Sequence, residues 1–410
     1  MWLFEGWPLR VGGVPYPADM ANKKLEQHIA VFGESGSGKT VMLSSFFGSM
    51  RKPGLAAERR FSLVANNPAQ GTRLLQRYFD MQDKAKVPPA NMHKADTYEF
   101  SLQLAKAHGG GGGNASHFDA VKLFWHDYPG EWFEQDVSGD TESKRRLEMF
   151  RTLLVSDVAL LLVDGQKLLE NAGQEERYLG KLFGNLSNCL LAMKDDLLEN
   201  GQALVEFPRI WVLALSKADL LPEMTVSSFE HLVTREAGHH LNELRFVIQG
   251  FVAGDEALSV GEDLLLLSSA KFKPGEIDVN ERVGVDLILP LAAMLPFERH
   301  LRWASAKKLP AKVGRELLKN SDKILYVLGA ASGLLNKLKL PPPLKVVAGI
   351  VAGLLSAGAV QEIVDMADSK LEEAYDTAVK KNDDLGAILT KFRIDLEQAE
   401  RDGVFLKGHQ

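Results

Sequence analysis

The chain has 410 residues, of which 45 % are hydrophobic and 25 % charged, with a formal net charge of −6. This composition excludes a disordered chain and a polytopic membrane protein, and its acidic balance gives no global attraction for nucleic acid, so no nucleic-acid partner is expected. Cys189 stands alone, which excludes an intrachain disulfide, and the length predicts about two to three domains.

Residues 1–27 open with "MWLFEGWPLRVGG", which lacks the basic start and long apolar run of a signal peptide. A cytoplasmic protein is the simplest expectation. The apolar run Ile29 to Phe32 then leads into Gly33-Glu34-Ser35-Gly36-Ser37-Gly38-Lys39-Thr40, and a helical segment continues through Val41. In this strand–loop–helix context the glycines let backbone N–H groups approach phosphates. Lys39 is suited to the β- and γ-phosphates and the Thr40 hydroxyl to Mg²⁺. The alternative is a plain flexible glycine turn.

The segment 51–118 reads as a strand "FSLVAN", a helix "GTRLLQRYFDMQDK", a proline-containing loop "KVPPANMHKAD" and a strand "TYEFSLQL". Five consecutive glycines, Gly109 to Gly113, predict a mobile hairpin connection to the next strand. That strand, "VKLFWHD", ends at Asp127, a candidate for holding Mg²⁺ through water. Gly130 offers an N–H where a γ-phosphate would sit, and Glu131 follows it.

Helices at "SKRRLEMFRTLL", "ERYLGKLFGNLSNCLLAMKDDLLEN", "SSFEHLVTREAGHHLNELRFVI" and "GVDLILPLAAMLPFERHLRWASA" alternate with strands at "VALLLVDG", 209–215 and 263–269. Such alternation predicts an α/β fold, a mostly parallel sheet covered by helices on both faces. The strand before Ser216-Lys217-Ala218-Asp219 places a carboxylate where it can accept from the N1–H and exocyclic amine of guanine. The last strand leads to Ser269-Ala270-Lys271, where a backbone N–H is available for the guanine O6. Either short motif alone arises easily by chance. Their order, each at the carboxyl end of a strand in an open α/β sheet, favours GTP and GDP as ligands. Asp164 also ends a strand and is assigned to a turn rather than to the metal. His239 and His240 lie in a helical segment without further ligands and read as solvated or capping residues.

Beyond residue 308 the chain changes. Glu298 to Lys345 holds eleven Lys or Arg and three acids, and two apolar segments, 324–335 and 346–360, flank Pro341 to Pro343. These read as a helical hairpin, with each segment shorter than the roughly 20 apolar residues that cross a bilayer. It packs on the domain or a second copy, or inserts shallowly at an anionic membrane through 298–360. The expected layout is an extension 1–27, an α/β domain 28–308 with the insertion 51–118, and a helical region 309–410 containing the hairpin 324–360.

With "GESGSGKT", "DYPG", "SKAD" and "SSAK" in this order, the chain resembles the translation-factor-related (TRAFAC) class of P-loop GTPases. Its "DYPGEW" is similar to the motif of YcjX-type stress-associated bacterial GTPases. The resemblance implies a Mg²⁺-dependent GTP-hydrolysing switch and a Thr completing the Mg²⁺ shell before the strand antiparallel to "VKLFWHD"; Thr97 fits that position and Thr72 is its rival. It also implies that Glu131 stands where this class orients the attacking water. Two departures are Ser216, in place of the usual Asn or Thr, and the long segment between the phosphate loop and Asp127. The expected function is a switch whose nucleotide state controls self-association, a protein partner, or peripheral contact with the inner membrane. A nucleotide-binding scaffold with little hydrolysis and an ATPase are the alternatives.

Overall fold

Two runs, "VALLLVD" and "IWVLALS", are apolar over almost their whole length, the pattern of strands covered on both faces. In the computed structural model they are the central strands β5 (Val158–Asp164) and β6 (Ile210–Ser216), buried throughout. The model describes residues 25–51, 59–89, 96–104, 119–133, 139–198, 201–204, 208–305 and 384–408, with isolated positions between 372 and 380.

The main sheet is ordered β10 (Phe405–Leu406), β7 (Ser259–Leu266), β6, β5, β1 (Leu25–Phe32), β4 (Asp119–Asp127), β3 (Asp96–Leu104) and β2 (Phe61–Ala65). Strand β1 pairs in parallel with β5 and with β4, and β5, β6 and β7 continue in parallel. Strands β3 and β2 add an antiparallel extension beside β4. This is the expected mostly parallel α/β sheet.

Helices cover both faces. On one face, α1 (Lys39–Met50), α2 (Pro68–Lys84), α8 (Ile288–Ser305) and α9 (Asp384–Arg401) pack over Ile29, Trp125 and Leu160. On the other, α3 (Asp140–Leu153), α5 (Glu175–Ala192) and α7 (Val226–Gln249) pack over Phe32, Leu161 and Trp211. The short helices α4 (Gly165–Glu170) and α6 (Lys194–Leu197) follow β5 and α5. The predicted long helix through "LAMKDDLLEN" therefore breaks at Met193. Strand β7 starts and ends earlier than 263–269, so Ser269 and Ala270 lie beyond it and Lys271 opens a small hairpin of β8 (Lys271–Lys273) and β9 (Glu276–Asp278).

The end of the chain meets the α/β body. Helix α9 packs along α8, and β10 (Phe405–Leu406) joins the sheet antiparallel to β7, with Phe405 opposite Leu265. Arg299 of α8 and Asp263 of β7 are fully buried and paired at 2.6 Å, and Asp263 also accepts from the Gly408 N–H at 2.9 Å. Lys407 pairs with Glu298. Residues 384–408 thus pack on the α/β body, through the apolar face of α9, the pairing of β10 with β7 and the contacts of Lys407 and Gly408. The extension 1–24, the glycine run 109–113 and the hairpin 324–360 lie outside the described residues.

Candidate functional site

Helix α1 begins without a side-chain cap. Its N-cap is Gly38, in the left-handed region at φ 91°, and Gly36 is there too at φ 78°. The left-handed turns direct successive amides into the loop, where the helix dipole adds to their positive field. Lys39 is buried, and its Nζ donates to the carbonyls of Gly33 at 2.6 Å and Glu34 at 3.0 Å. Ser37 Oγ is buried and makes no hydrogen bond among the described residues. Gly33 is closely packed, since a Cβ there would meet Ser37 Oγ at 2.7 Å and Leu162 Cβ at 3.0 Å.

Asp127 ends β4 directly beside β1, buried, on the sheet face that carries α1 and Thr40. The residues after it close on the phosphate loop. Tyr128 is buried and accepts the Gly33 N–H at 2.7 Å, while Lys39 Nζ lies 5.3 Å from its ring centre. Burial pushes the Tyr128 hydroxyl well above the usual phenol range. A Cβ on Gly130 would sit 2.3 Å from the Ser35 nitrogen, so only glycine permits this approach. Glu131, half-exposed, then occupies the first turn of a 3₁₀ helix, Gly130–Phe133.

Thr97 is placed differently from the expectation. It lies within β3 rather than before it, opposite His126, and its hydroxyl is 3.0 Å from His126 Nδ1. Strand side chains alternate, so Thr97 shares a face with His126 and lies across the sheet from Asp127 and Thr40. This parity separates it from Asp127 and Thr40. Its rival Thr72 is exposed on α2.

In the Ser216–Asp219 segment, the expected base side, Lys217 adopts the left-handed conformation at φ 53° and its Nζ pairs with Asp164 Oδ2 at 2.8 Å. Ser216 Oγ donates to the Val163 carbonyl at 3.3 Å, and the Ala218 N–H donates to the Leu267 carbonyl at 3.0 Å. Asp219 Oδ1 accepts from Ser268 Oγ at 2.7 Å. The Ser269 carbonyl accepts from Ser45 of α1 at 2.6 Å, and Ala270 is buried. Lys271 turns outward to Glu281 Oε2 at 2.6 Å. The expectation for this segment concerned a backbone N–H, which the outward turn of the Lys271 side chain leaves untouched.

A cavity of about 350 Å³ joins these parts, lined by Gly36, Ser37, Gly38 and Val41 from the phosphate side and by Ser216, Lys217, Asp219 and Ser269 from the base side. Val87, Leu220 and Phe272 form an apolar rim that is largely exposed. A larger cavity of about 490 Å³, between Arg59, Arg282, Tyr375 and Phe392, contains none of the motif residues, so size alone does not choose the site.

A family model described as Double-GTPase 2 matches residues 27–267. The chain belongs to the Double-GTPase 2 family. Membership makes this a GTPase-type domain, and GTP binding and hydrolysis are the family's general activity. No curated protein matches the chain. The matched segment of this Double-GTPase 2 chain stops at Leu267, so Ser268 to Lys271, α8, α9 and β10 lie beyond it.

Sequence reasoning missed Ser268, Gln166, Val87 and Phe272. Ser268 opens the "SSAK" motif but was given no role, and Gln166 follows the end of β5. The last two come from the loop after α2 and the β8–β9 hairpin, which carry no motif.

Proposed function

We propose that this protein is a Mg²⁺-dependent GTPase that uses its nucleotide state to control contacts of its helical C-terminal region with a second copy, a protein partner or a membrane surface. One observation carries the reading: a single cavity is lined by the phosphate loop, the Asp219 carboxylate and the Ser269 segment. A carboxylate offers about four lone-pair sites. Ser268 engages one, so acceptors remain for the two guanine donors. The antiparallel β3 beside β4 supports placing the domain in the TRAFAC class, and "DYPGEW" supports the YcjX-type resemblance.

The residues fit Mg²⁺. Thr40 and Asp127 supply hard oxygen donors on one sheet face, and no cluster of three or more His, Cys, Asp or Glu exists among the described residues. Mg²⁺ is ordinarily held by one or two side chains together with phosphates and water. The ion, when bound, neutralises charge on the β- and γ-phosphates. Lys39 binds those phosphates, the loop amides orient them, and the Gly130 N–H meets the γ-phosphate. Glu131 follows Gly130 and positions water as an acceptor, but its charge opposes a polyanion, so intrinsic hydrolysis is slow.

Single-turnover hydrolysis at saturating Mg²⁺ tests this, with GTP and ATP compared and Glu131→Ala beside wild type. GTP is expected to turn over in preference to ATP, and Glu131→Ala to bind normally and turn over more slowly. Preference for ATP would overturn the base reading, and equal rates would remove Glu131 from the mechanism.

A further inference from the structure

The four residues that end β5 and open α4, Asp164-Gly165-Gln166-Lys167, touch both halves of the cavity. We propose that this turn is a strap that fixes the separation of the base-recognising and phosphate-binding loops. In it Asp164 and Lys167 are positioning residues that act through Lys217 and Glu34. The proposal rests on reading the cavity as a guanine-nucleotide site.

Asp164 is buried and fully engaged. Its N–H donates to Tyr178 Oη at 2.8 Å, its Oδ1 accepts from the Gln166 N–H at 3.0 Å, and its Oδ2 meets Lys217 Nζ at 2.8 Å. Each carboxylate oxygen thereby has a partner, one of them the Lys217 ammonium. Gln166 Oε1 adds a second acceptor for Lys217 Nζ at 3.2 Å. Lys217 lines the cavity in a left-handed conformation, which side-chain-bearing residues adopt at a cost and keep only where the surroundings over-determine it. The Asp164 carboxylate and Gln166 amide are that determination.

The turn also meets the backbone of the base loop. A Cβ on Gly165 would lie 2.7 Å from the Ser216 carbonyl oxygen and 2.9 Å from that of Lys217. From its other end, Lys167 Nζ pairs with Glu34 Oε2 at 2.8 Å, and Glu34 is buried within the phosphate loop. The Glu34 carbonyl accepts from Lys39, and its backbone is what Gly130 abuts. Charges therefore run Lys217, Asp164, Lys167, Glu34 from base to phosphate, with oppositely charged partners joined across loops distant in sequence.

The test measures release of a fluorescent GDP analogue from the full chain for wild type, Asp164→Asn, Lys217→Met and the double variant. Each single change is expected to speed release roughly tenfold, the scale of a charge-assisted hydrogen bond. The double variant should be no faster than Lys217→Met, because Asp164 acts through Lys217. Guanine over xanthine preference should be unchanged in Asp164→Asn, since Asp219 and Ser268 are untouched. Multiplying effects, or a lost guanine preference, would overturn the strap. Should Asp164→Asn fail to fold, Lys167→Met carries the test from the more exposed end. It should speed release, with no further gain from Glu34→Gln, and an unchanged rate would overturn the proposal. A wild-type chain that does not hold the probe overturns the guanine-nucleotide reading itself, and the strap with it.

Discussion

The phosphate half of the cavity is made of backbone, and the base half of side chains held by other side chains. In the first, Gly36 and Gly38 turn amides inward and Lys39 lies over carbonyls of its own loop. In the second, Asp219 is set by Ser268, and Lys217 by Asp164. A backbone-made site resists side-chain truncation but not an added Cβ. A side-chain-made site is sensitive to single polar changes, because each removed partner leaves another group buried and unsatisfied.

The largest expected effect breaks the base half alone. Asp219→Asn replaces an acceptor by an amide, and GTP affinity should fall by on the order of a thousandfold while xanthine triphosphate gains, as in sites built to hydrogen-bond one donor pattern. Competition between the two nucleotides checks it, and unchanged GTP selectivity would move the base site elsewhere.

Gly130→Ala breaks the phosphate half by addition. Its Cβ would overlap the Ser35 nitrogen and Glu34 carbonyl, which are backbone atoms that cannot swing away. Single-turnover hydrolysis should drop about a hundredfold, on the scale of removing one aligned transition-state donor. A rate within a few fold of wild type would show that the two segments separate in the working enzyme.

Tyr128→Phe sharpens the contrast, since here a side chain serves the backbone half. Removing the hydroxyl leaves the Gly33 N–H buried without its acceptor, and unfolding free energy should fall by about 1–3 kcal/mol. Urea titration measures it, and an unchanged midpoint would mean that the strand end finds another acceptor.

An effect of comparable size lies in the same strand. Burial, and then the neighbouring His28, hold the His126 imidazole down to about 4 from its usual 6.5. Between those values the unfolded chain binds the extra proton and the folded one does not. Stability from this group is complete above about pH 6.5 and is lost as pH falls toward 4, by at most about 3 kcal/mol. His126→Gln should flatten that part of the curve, and parallel curves for the two proteins would assign the loss to other groups.

Glycine spacing and apolar runs are local signals, so β1, the phosphate loop, β4, β5 and β6 were legible in the sequence, as was the order of the short motifs. Asp164 was legible only as a turn residue, because its partner Lys217 lies on another strand. Ser268 was hidden for the same reason. Thr97 was misplaced by one parity step. The alternation of Tyr98, Phe100 and Leu102 against Trp125, Leu123 and Val121 carried the signal that would have put Thr97 on the far face. The fate of residues 384–408 had no local signal, since an amphipathic helix and a two-residue strand show their place only through what they cover.

That last segment sets an order of assembly. Phe405 and Leu406 pair with Leu265 and Leu264, so the β7 edge is completed by residues synthesised far later. Until they emerge, an apolar strand presents unpaired amides and carbonyls to whatever else is nearby, the condition under which nascent chains associate wrongly. The long closing distance also raises the contact order of this edge and slows its formation. Expression at lower temperature, or with chaperones that bind exposed strands, should therefore raise the soluble yield of the full chain more than that of a variant whose β7 edge carries an added lysine.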